Sequence, residues 1–373
     1  MGIMRYLACI LFLFFGWSTF GQSAHQLALL LPFNNKLTVE YNQTAAWQLG
    51  EMCRNYYRGL LIAMDSLATE ENKITLRVYD TENDSLVTSK ILQKKEMLSS
   101  SLIIGPVMQG GNKMVSNFAR QQKVYQISPL MTFSKSKIGD EYWVAANPDL
   151  PSYGGILTQR LLSVSTDTIL IVIISDNSSL DKAITPALKK IGTDEKRIKI
   201  RIVDANAESD INTFYSERYK NCVLINSTKE QTVNKWLYRI NDTSHAIYPE
   251  VYGYSQWFDF RSFDIALWQK KNVRIISPYF VDYTRHDVIA FVKVFRERYG
   301  IEPTEEAFKG FDQGIYFTSL LIQNGKKLFS AESANTYNGL HTTYMYQKAK
   351  DGQYKSNYLN LLKFESDRLV STE

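Results

Sequence analysis

Residues able to do chemistry are scattered along this sequence rather than grouped. Its four histidines, His25, His245, His286 and His341, fall in predicted loops and element ends, and none has a partner at metal-ligand spacing. The Gly-x-x-x-x-Gly-Lys phosphate loop, the Gly-x-Ser-x-Gly nucleophile elbow, His-Glu-x-x-His and Cys-x-x-Cys are all missing. Gly110-Gly111 stands between a strand and a helix as a phosphate turn would, but it lacks the three-glycine spacing of a dinucleotide site. No catalytic residue, metal or cofactor is therefore expected.

What recurs is a set of polar, aromatic and turn-forming residues just after apolar runs. In an open parallel sheet the carboxyl ends of the strands form a crevice, where free backbone N–H groups and helix N-termini can hydrogen-bond a small polar molecule. In the first part of the chain these positions are Phe33-Asn34, Asp80-Thr81, the run Gly105, Pro106, Val107, Met108 and the run 128–132 with Ser128, Leu130 and Thr132. Further on come Asp176 and Asn177, then Asn226-Ser227, Ser255 and Trp257, and Phe280 beyond Ser277-Pro278. Each alone also reads as ordinary turn chemistry. Trp257 and Phe258, in an otherwise polar turn, are candidates for a ligand wall.

The elements that must position these residues follow from the apolar pattern. Residues 26–33 form a continuous apolar run closed by Pro32, the mark of a buried parallel strand. Leu49, Met52, Cys53, Tyr56, Leu60, Met64 and Leu67 then keep helical spacing. Strands are predicted at 74–79, 102–104 and 124–127, with helices at 86–98 and 112–121. After Asn147-Pro148 the alternation restarts: helix 152–162, strand 169–174, helix 180–191, and a strand at 197–203 whose alternating charge predicts a sheet edge. A helix at 211–219, strand 222–225, helix 233–240 and strand 247–252 continue it. Strands alternating with helices at this pace define an α/β protein with two parallel sheets, each covered by helices on both faces. The last hundred residues depart from it. A strand at 273–276 precedes two long helices, 287–299 and 304–324, and then a hairpin of 342–346 with 358–364 about Asp351-Gly352. The chain is thus expected to return to an earlier domain and leave it again.

Composition bounds the partners. The 373 residues carry 43 Lys+Arg against 38 Asp+Glu, and 45% are apolar, which describes a globular chain of about two domains. The surplus is too dilute to attract nucleic acid. Residues 1–21 hold Arg5, an apolar run at 7–15 and the small residues of Thr19-Phe20-Gly21, the pattern of a cleaved secretory signal. The run is short for a membrane span, and Leu7-Ala8-Cys9 lies too near the start to act as a lipoprotein box. Cys53 and Cys222, on a helix face and at a strand start, read as buried small hydrophobes.

The matching pieces add up to a resemblance. Leu29-Leu30-Leu31-Pro32-Phe33, Tyr57-Arg58-Gly59 with Ala63-Met64-Asp65, Val78-Tyr79-Asp80-Thr81, Gly105-Pro106, Ile127-Ser128-Pro129-Leu130 and Gly310-Phe311-Asp312 resemble the type I periplasmic binding proteins. Within that family they resemble the leucine/isoleucine/valine-binding branch, of the kind exported by Bacteroidetes-type bacteria. The resemblance implies two Rossmann-like lobes joined by three hinge crossings, with ligand trapped between them. Lobe 1 would comprise 22–146 plus 279–326 and lobe 2 would comprise 147–278 plus 327–373, with the third crossing near 325–330. It also implies that 128–132 holds a ligand carboxylate beside 105–108, that Tyr153 closes over the ligand, and that Asp259 stands in for the acidic group meeting an ammonium.

These readings converge on a non-enzymatic, exported solute-binding protein of the periplasm or cell exterior. It would trap an amino acid, peptide or cell-wall fragment and present it to an inner-membrane ABC permease. A monomer is expected, with a dimer as the alternative. Two further readings stay open: an envelope sensor or scaffold on the same fold, and a secreted α/β enzyme such as a glycosyltransferase, which would need Asp80, Asp176 and Asp259 to converge.

Overall fold

The computed structural model describes residues 23–35, 45–107, 109–132, 141–240, 247–262, 264–329, 336–349, 352–366 and 368–372. The expected signal segment 1–21 and Met108 lie outside them.

The first sheet is built from strands β1 (Ser23–Leu31), β2 (Asn72–Asp80), β3 (Leu102–Ile104), β4 (Tyr125–Thr132) and β5 (Trp143–Asn147), all parallel and in the order β2-β1-β3-β4-β5. Leu27 to Leu31 and Leu102 to Ile104 are wholly buried, as central strands covered on both faces must be. One face packs against α1 (Ala45–Leu67) and α9 (Glu305–Asn324), whose Tyr56, Leu60, Tyr316 and Phe317 share a core with Leu29 and Ile104. The other face carries Ile91, of α2 (Ser85–Leu92), with Val115 and Ala119 of α3 (Gln109–Gln122).

The second sheet joins β6 (Ile169–Ser175), β7 (Ile198–Asp204), β8 (Lys220–Asn226), β9 (Glu250–Tyr254), β10 (Val273–Ser277), β15 (Asn360–Glu365) and β16 (Arg368–Ser371), in the order β16-β15-β10-β9-β8-β6-β7. β7 is the edge strand that its charge alternation predicts. β15 runs antiparallel to β10 and to β16. On one face lie α4 (Leu150–Ser163) and α5 (Ser179–Asp194). The other carries α6 (Glu230–Arg239) and α7 (Ile265–Lys270). The helix expected at 211–219 is a single 3-10 turn, Ile211–Phe214.

The chain passes between the two bodies after β5, after β10 and between Ser356 and Asn360. That last position corrects the expectation that 327–373 belong to the second body. Leu328, Phe329, Tyr344 and Tyr346 sit in the first core, because α9 offers them an aromatic surface. Tyr344 and Tyr346 stack on Tyr316 with ring centroids 5.3 and 5.8 Å away. Between them and the crossing, β13 (Tyr346–Lys348) pairs antiparallel with β14 (Tyr354–Ser356). The hairpin partner of the 346 strand is therefore 354–356, and 360–365 joins the second sheet instead. A small pair, β11 (Tyr337–Asn338) with β12 (Thr343–Tyr344), precedes it. After β10 the chain enters α8 (His286–Tyr299), whose Phe291 and Phe295 pack with Phe308 of α9. Among the described residues no helix is long and apolar enough to cross a membrane.

Candidate functional site

Both sheets end their strands toward loops that the expected site residues occupy. After β1, the Asp80 carboxylate gathers the turn. Its Oδ1 accepts the N–H groups of Phe33 (2.9 Å), Asn34 (3.2 Å) and Glu82 (2.9 Å), and its Oδ2 accepts that of Asn35 (3.1 Å). Asn34 adopts the left-handed φ of 53° that asparagine tolerates, and its Nδ2 donates to the Ala46 carbonyl at 2.8 Å. Phe33 is buried, edge-on to Tyr57 at 5.8 Å. All three residues thus build the loop.

The loop after β3 is pinned by the strands beside it. Gly105 has φ 102°, and a Cβ there would lie 2.0 Å from the Leu30 carbonyl oxygen, so only glycine fits. Its N–H donates to Ile127 O at 2.7 Å, and the peptide bond to Pro106 is cis. Val107 turns into the core. Ser128, read as a ligand-carboxylate donor, is wholly buried and donates to Pro106 O at 3.4 Å. The segment 128–132 is the far end of β4 with a register shift, and Thr132 pairs with Asn147. Leu130 packs partly buried against the first core. Residues that the pattern missed hold this region: Gln126 Nε2 donates to Gly105 O (2.9 Å) and Asn112 Oδ1 (2.7 Å), and Gln313 Nε2 to Pro129 O (3.2 Å). A glutamine inside the short apolar run 124–127 was the available signal, since a buried amide N–H seeks partners.

In the second body, Asp176 follows β6. Burial pushes its carboxyl up, but hydrogen bonds from Ser178 and Ser227 and the Lys229 charge outweigh it and hold the group below its usual range. Asn177 takes φ 57° and donates its N–H to Asp181 Oδ2 at 3.0 Å. Asp181 is buried and also accepts from Ser175, Thr185 and Asn226, so one carboxylate ties the ends of β6 and β8 to α5. Tyr153, at the start of α4, is buried with its ring 6.4 Å from that of Tyr254, and burial pushes its phenol upward.

Trp257 corrects an expectation. It is wholly buried, donates Nε1–H to Ser227 O at 2.8 Å and packs on Trp268 and Phe260. Its six-membered ring fills the space left by Gly253, where a Cβ would lie 2.2 Å from it. It is a core residue and walls no ligand. Asp259, by contrast, is exposed. The carboxylates required by the enzyme reading are all engaged locally or exposed: Asp80 on backbone N–H groups, Asp176 on serines and a lysine. Among the described residues no three of His, Cys, Asp or Glu gather to hold a metal ion. Burial raises the thiols of Cys53 and Cys222 to about 12, which makes both poor nucleophiles.

Two cavities open between the bodies. One, of about 270 Å³, is lined by Ser255, Phe258, Tyr279, Phe280, Glu305 and Leu362, among others. Its walls are mainly aromatic and aliphatic. Its one charged lining residue is Glu305, which is paired with Lys309 outside the lining, the Lys309 Nζ lying 5.2 Å from the Tyr279 ring centroid. The second, of about 410 Å³, is polar and shares Phe280 with the first. Of the expected site residues, Ser255, Phe258 and Phe280 reach the apolar cavity and Phe280 alone reaches the polar one. The 105–107 loop, Ser128, Tyr153, Asp176 and Asn177 line neither. Tyr279, Glu305 and Phe308 were missed because they join only through the second crossing.

These two bodies, each a mainly parallel sheet between helices and joined by three chain crossings, have the two-lobed fold of the type I periplasmic binding proteins. Among solved structures the chain is similar to a putative branched-chain amino acid ABC transporter protein from Rhodospirillum rubrum, at 13% identity and TM-score 0.65 over 94% of this chain and 100% of that one. It is also similar to an ABC transporter substrate-binding protein from Desulfitobacterium hafniense in complex with Leu, at 15% identity and TM-score 0.52, over 94% and 100% of the two chains. A branched chain amino acid ABC transporter periplasmic ligand-binding protein from Burkholderia xenovorans matches at 11% identity and TM-score 0.53, with 94% of each chain covered. No family model matches the sequence. No curated protein matches it either.

Proposed function

We propose that the protein is an exported solute-binding protein that takes a small ligand between its two lobes, closes on it by hinge motion and presents it to an ABC-type permease. The observation that carries this reading is the apolar cavity between the bodies, to which the second body contributes Ser255 and Leu362, α9 contributes Glu305 and Phe308, and the second crossing contributes Tyr279 and Phe280. A ligand held there touches both lobes and the segment between them, so its binding energy acts on their relative position. Apolar walls with one carboxylate, Glu305, at the edge suit a ligand with an apolar body and a polar head, an amino acid or short peptide among them. The location implied is the periplasm or cell exterior.

A second reading, an envelope sensor or scaffold on the same fold, draws on Ser128, Tyr153 and Trp257. All three are engaged inside the protein, which leaves the strand-end loops few free donors.

The test is a thermal-shift screen of amino acids, short peptides and cell-wall fragments, with small-angle scattering on each hit. A ligand present at about 100 times its Kd stabilises the folded state by about 2.7 kcal/mol, and closure lowers the radius of gyration. A hit with closure, whose uptake is lost when the gene is deleted, supports transport. Hits without closure or uptake defect favour the sensor, and a screen with no hit at all sinks the solute-binding reading.

A further inference from the structure

The surplus of five positive charges is dilute over 373 residues, but it is not evenly spread. Between residues 90 and 132 six cations meet one carboxylate, Glu96, so this stretch alone carries a surplus of five. From 97 to 139 there is no Asp or Glu at all. The fold draws five of the six cations to one end of the first body. Lys90 lies in the last turn of α2, Lys94 and Lys95 enter the 3-10 turn Lys95–Ser99, Arg120 lies in the last turn of α3, and Lys123 follows that helix. Ile91 and Met97 share one core cluster with Val115, Ala119 and Val124, which sets these segments side by side. All five cations are exposed.

Both helices run opposite to the strands they cover, so their C-terminal ends stand at the strand entrances, away from the second body, which the chain first reaches from the exit of β5. Helix α9 starts at the apolar cavity with Glu305 and ends on this far side, where Lys326 and Lys327 are exposed. Among the described residues, the loops entering the strands contribute four carboxylates: Glu70 and Glu71 before β2, Glu96 before β3 and Glu141 before β5. With Lys73 at the start of β2, the cations named are twice as many. The opposite end holds Asp80, Asp84, Glu305 and Glu306, so the charge of this body is segregated along its strands. Helix dipoles explain Lys90 and Arg120, but not the lysines beyond the helix ends or the missing carboxylates. Lys94 Nζ lies 5.1 Å from the Tyr79 ring centroid, a contact that keeps its charge. Leu98, in the same 3-10 turn as Lys95, is 57% exposed.

We propose that this end of the first body docks on an anionic phospholipid surface, with Lys90, Lys94, Lys95, Arg120 and Lys123 over the headgroups and Leu98 at the interface. Cations within a Debye length of an anionic bilayer, about 10 Å in ~0.1 M salt, are each attracted to it, and a cluster multiplies those gains. An exposed leucine among the lysines adds an apolar contact that a bilayer accepts and a dissolved polyanion does not use. Held in this way, the protein turns its second body and the cavities between the bodies away from the membrane, open to solute. The inference rests on the charge distribution of the first body and is independent of the transport reading.

The test sediments the full chain with vesicles of phosphatidylcholine alone and of phosphatidylcholine mixed with phosphatidylglycerol, at about 0.1 M and about 1 M salt. The expected result is binding to the mixed vesicles well beyond that to the neutral ones, lost at high salt. The triple variant Lys94→Ala/Lys95→Ala/Lys123→Ala should weaken it about a hundredfold, with melting unchanged because all three side chains are exposed. Lys182→Ala/Lys189→Ala/Lys190→Ala, which removes the same charge from exposed positions of α5 in the second body, should leave binding within about twofold. Equal binding to the two vesicle types overturns the proposal, since the apolar run 7–15 or another surface would then be responsible. So does an equal loss in the two triple variants, which would make net charge the cause. Retention on heparin that the Lys94/Lys95/Lys123 variant loses, without binding to the mixed vesicles, would assign the cluster to a dissolved polyanion instead.

Discussion

His341 Nδ1 lies 2.6 Å from Asp312 Oδ2, and both side chains are buried. The same carboxylate accepts the backbone N–H groups of Leu340 at 2.7 Å and His341 at 2.9 Å. Gly339 makes this approach feasible, since a Cβ there would lie 2.3 Å from Asp312 Oδ2. The loop so held then grips the second crossing. Phe280 N–H donates to His341 O at 2.6 Å, and Thr342 Oγ1 donates to Pro278 O at 2.8 Å. Asp312 on α9 therefore anchors the loop that holds the second crossing. Asp312→Ala leaves two backbone donors and an imidazole unpartnered, and should lower unfolding free energy by about 3 kcal/mol or more in urea melts. A loss below about 1 kcal/mol would remove it from that role.

Helices α1 and α9 touch backbone to backbone. A Cβ on Gly310 would lie 1.9 Å from Tyr56 O, and one on Gly59 would lie 1.9 Å from Ala307 O. Helix propensity alone says that Gly→Ala should stabilise by up to about 1 kcal/mol. The packing reverses the sign: Gly310→Ala and Gly59→Ala should each destabilise by about 2 kcal/mol as the helices separate. Thermal melts of the two variants decide it, and a raised Tm in either contradicts the close contact.

Trp257 gives a third comparison. Trp257→Phe orphans the Ser227 carbonyl and empties part of the second core, and should cost about 2 kcal/mol of stability. Affinity for any ligand found in the thermal screen should stay within about twofold, a change too small to involve a lost contact. A large affinity loss would return the indole to the binding site.

Much of this fold is legible from local pattern. The apolar runs at Leu27–Leu31 and Ile169–Ile174 became central strands, and the charge alternation along β7 became a sheet edge. What stayed hidden depends on partners distant in the chain. Trp257 looks like a ligand wall because its neighbours are polar, and only the missing side chain of Gly253 on β9 makes room for it. Tyr344 and Tyr346 belong to the first body because Tyr316 stacks on them, a relation no spacing rule contains. Ser128 has a hydroxyl, as a carboxylate-binding loop would require, but the cis turn at Pro106 takes it. Strand ends could be read from the sequence, whereas the direction each loop side chain faces could not.

Asp176 sets a pH dependence. Its folded-state pKa lies below the ordinary 3.8, so its stabilising effect is fully present above that value and is lost as pH falls through the lowered one. The stability advantage of the wild type over Asp176→Asn should be constant from about pH 7 to about pH 5 and should shrink steadily below about pH 4. Urea midpoints of both proteins across that range test the sign. An advantage that grows on acidification would mean that the carboxyl is not held ionised by Ser178, Ser227 and Lys229.

The apolar cavity can be closed from within. Ser255 opens the 3-10 turn Ser255–Asp259 and lines the cavity, so an indole at this position intrudes into its 270 Å³. The neighbouring Gln256 is exposed and lines no part of it. Ser255→Trp should abolish the thermal stabilisation produced by whichever amino acid or peptide is found in the screen. Gln256→Trp should leave that stabilisation intact, to within about 0.3 kcal/mol of its wild-type value. Because the two substitutions add the same side chain one residue apart, a general effect of the indole on folding would appear in both. Equal stabilisation of the two variants by the ligand would mean that the solute binds elsewhere, and the strand-end loops at Gly105 and Ser128 would then be the next place to look.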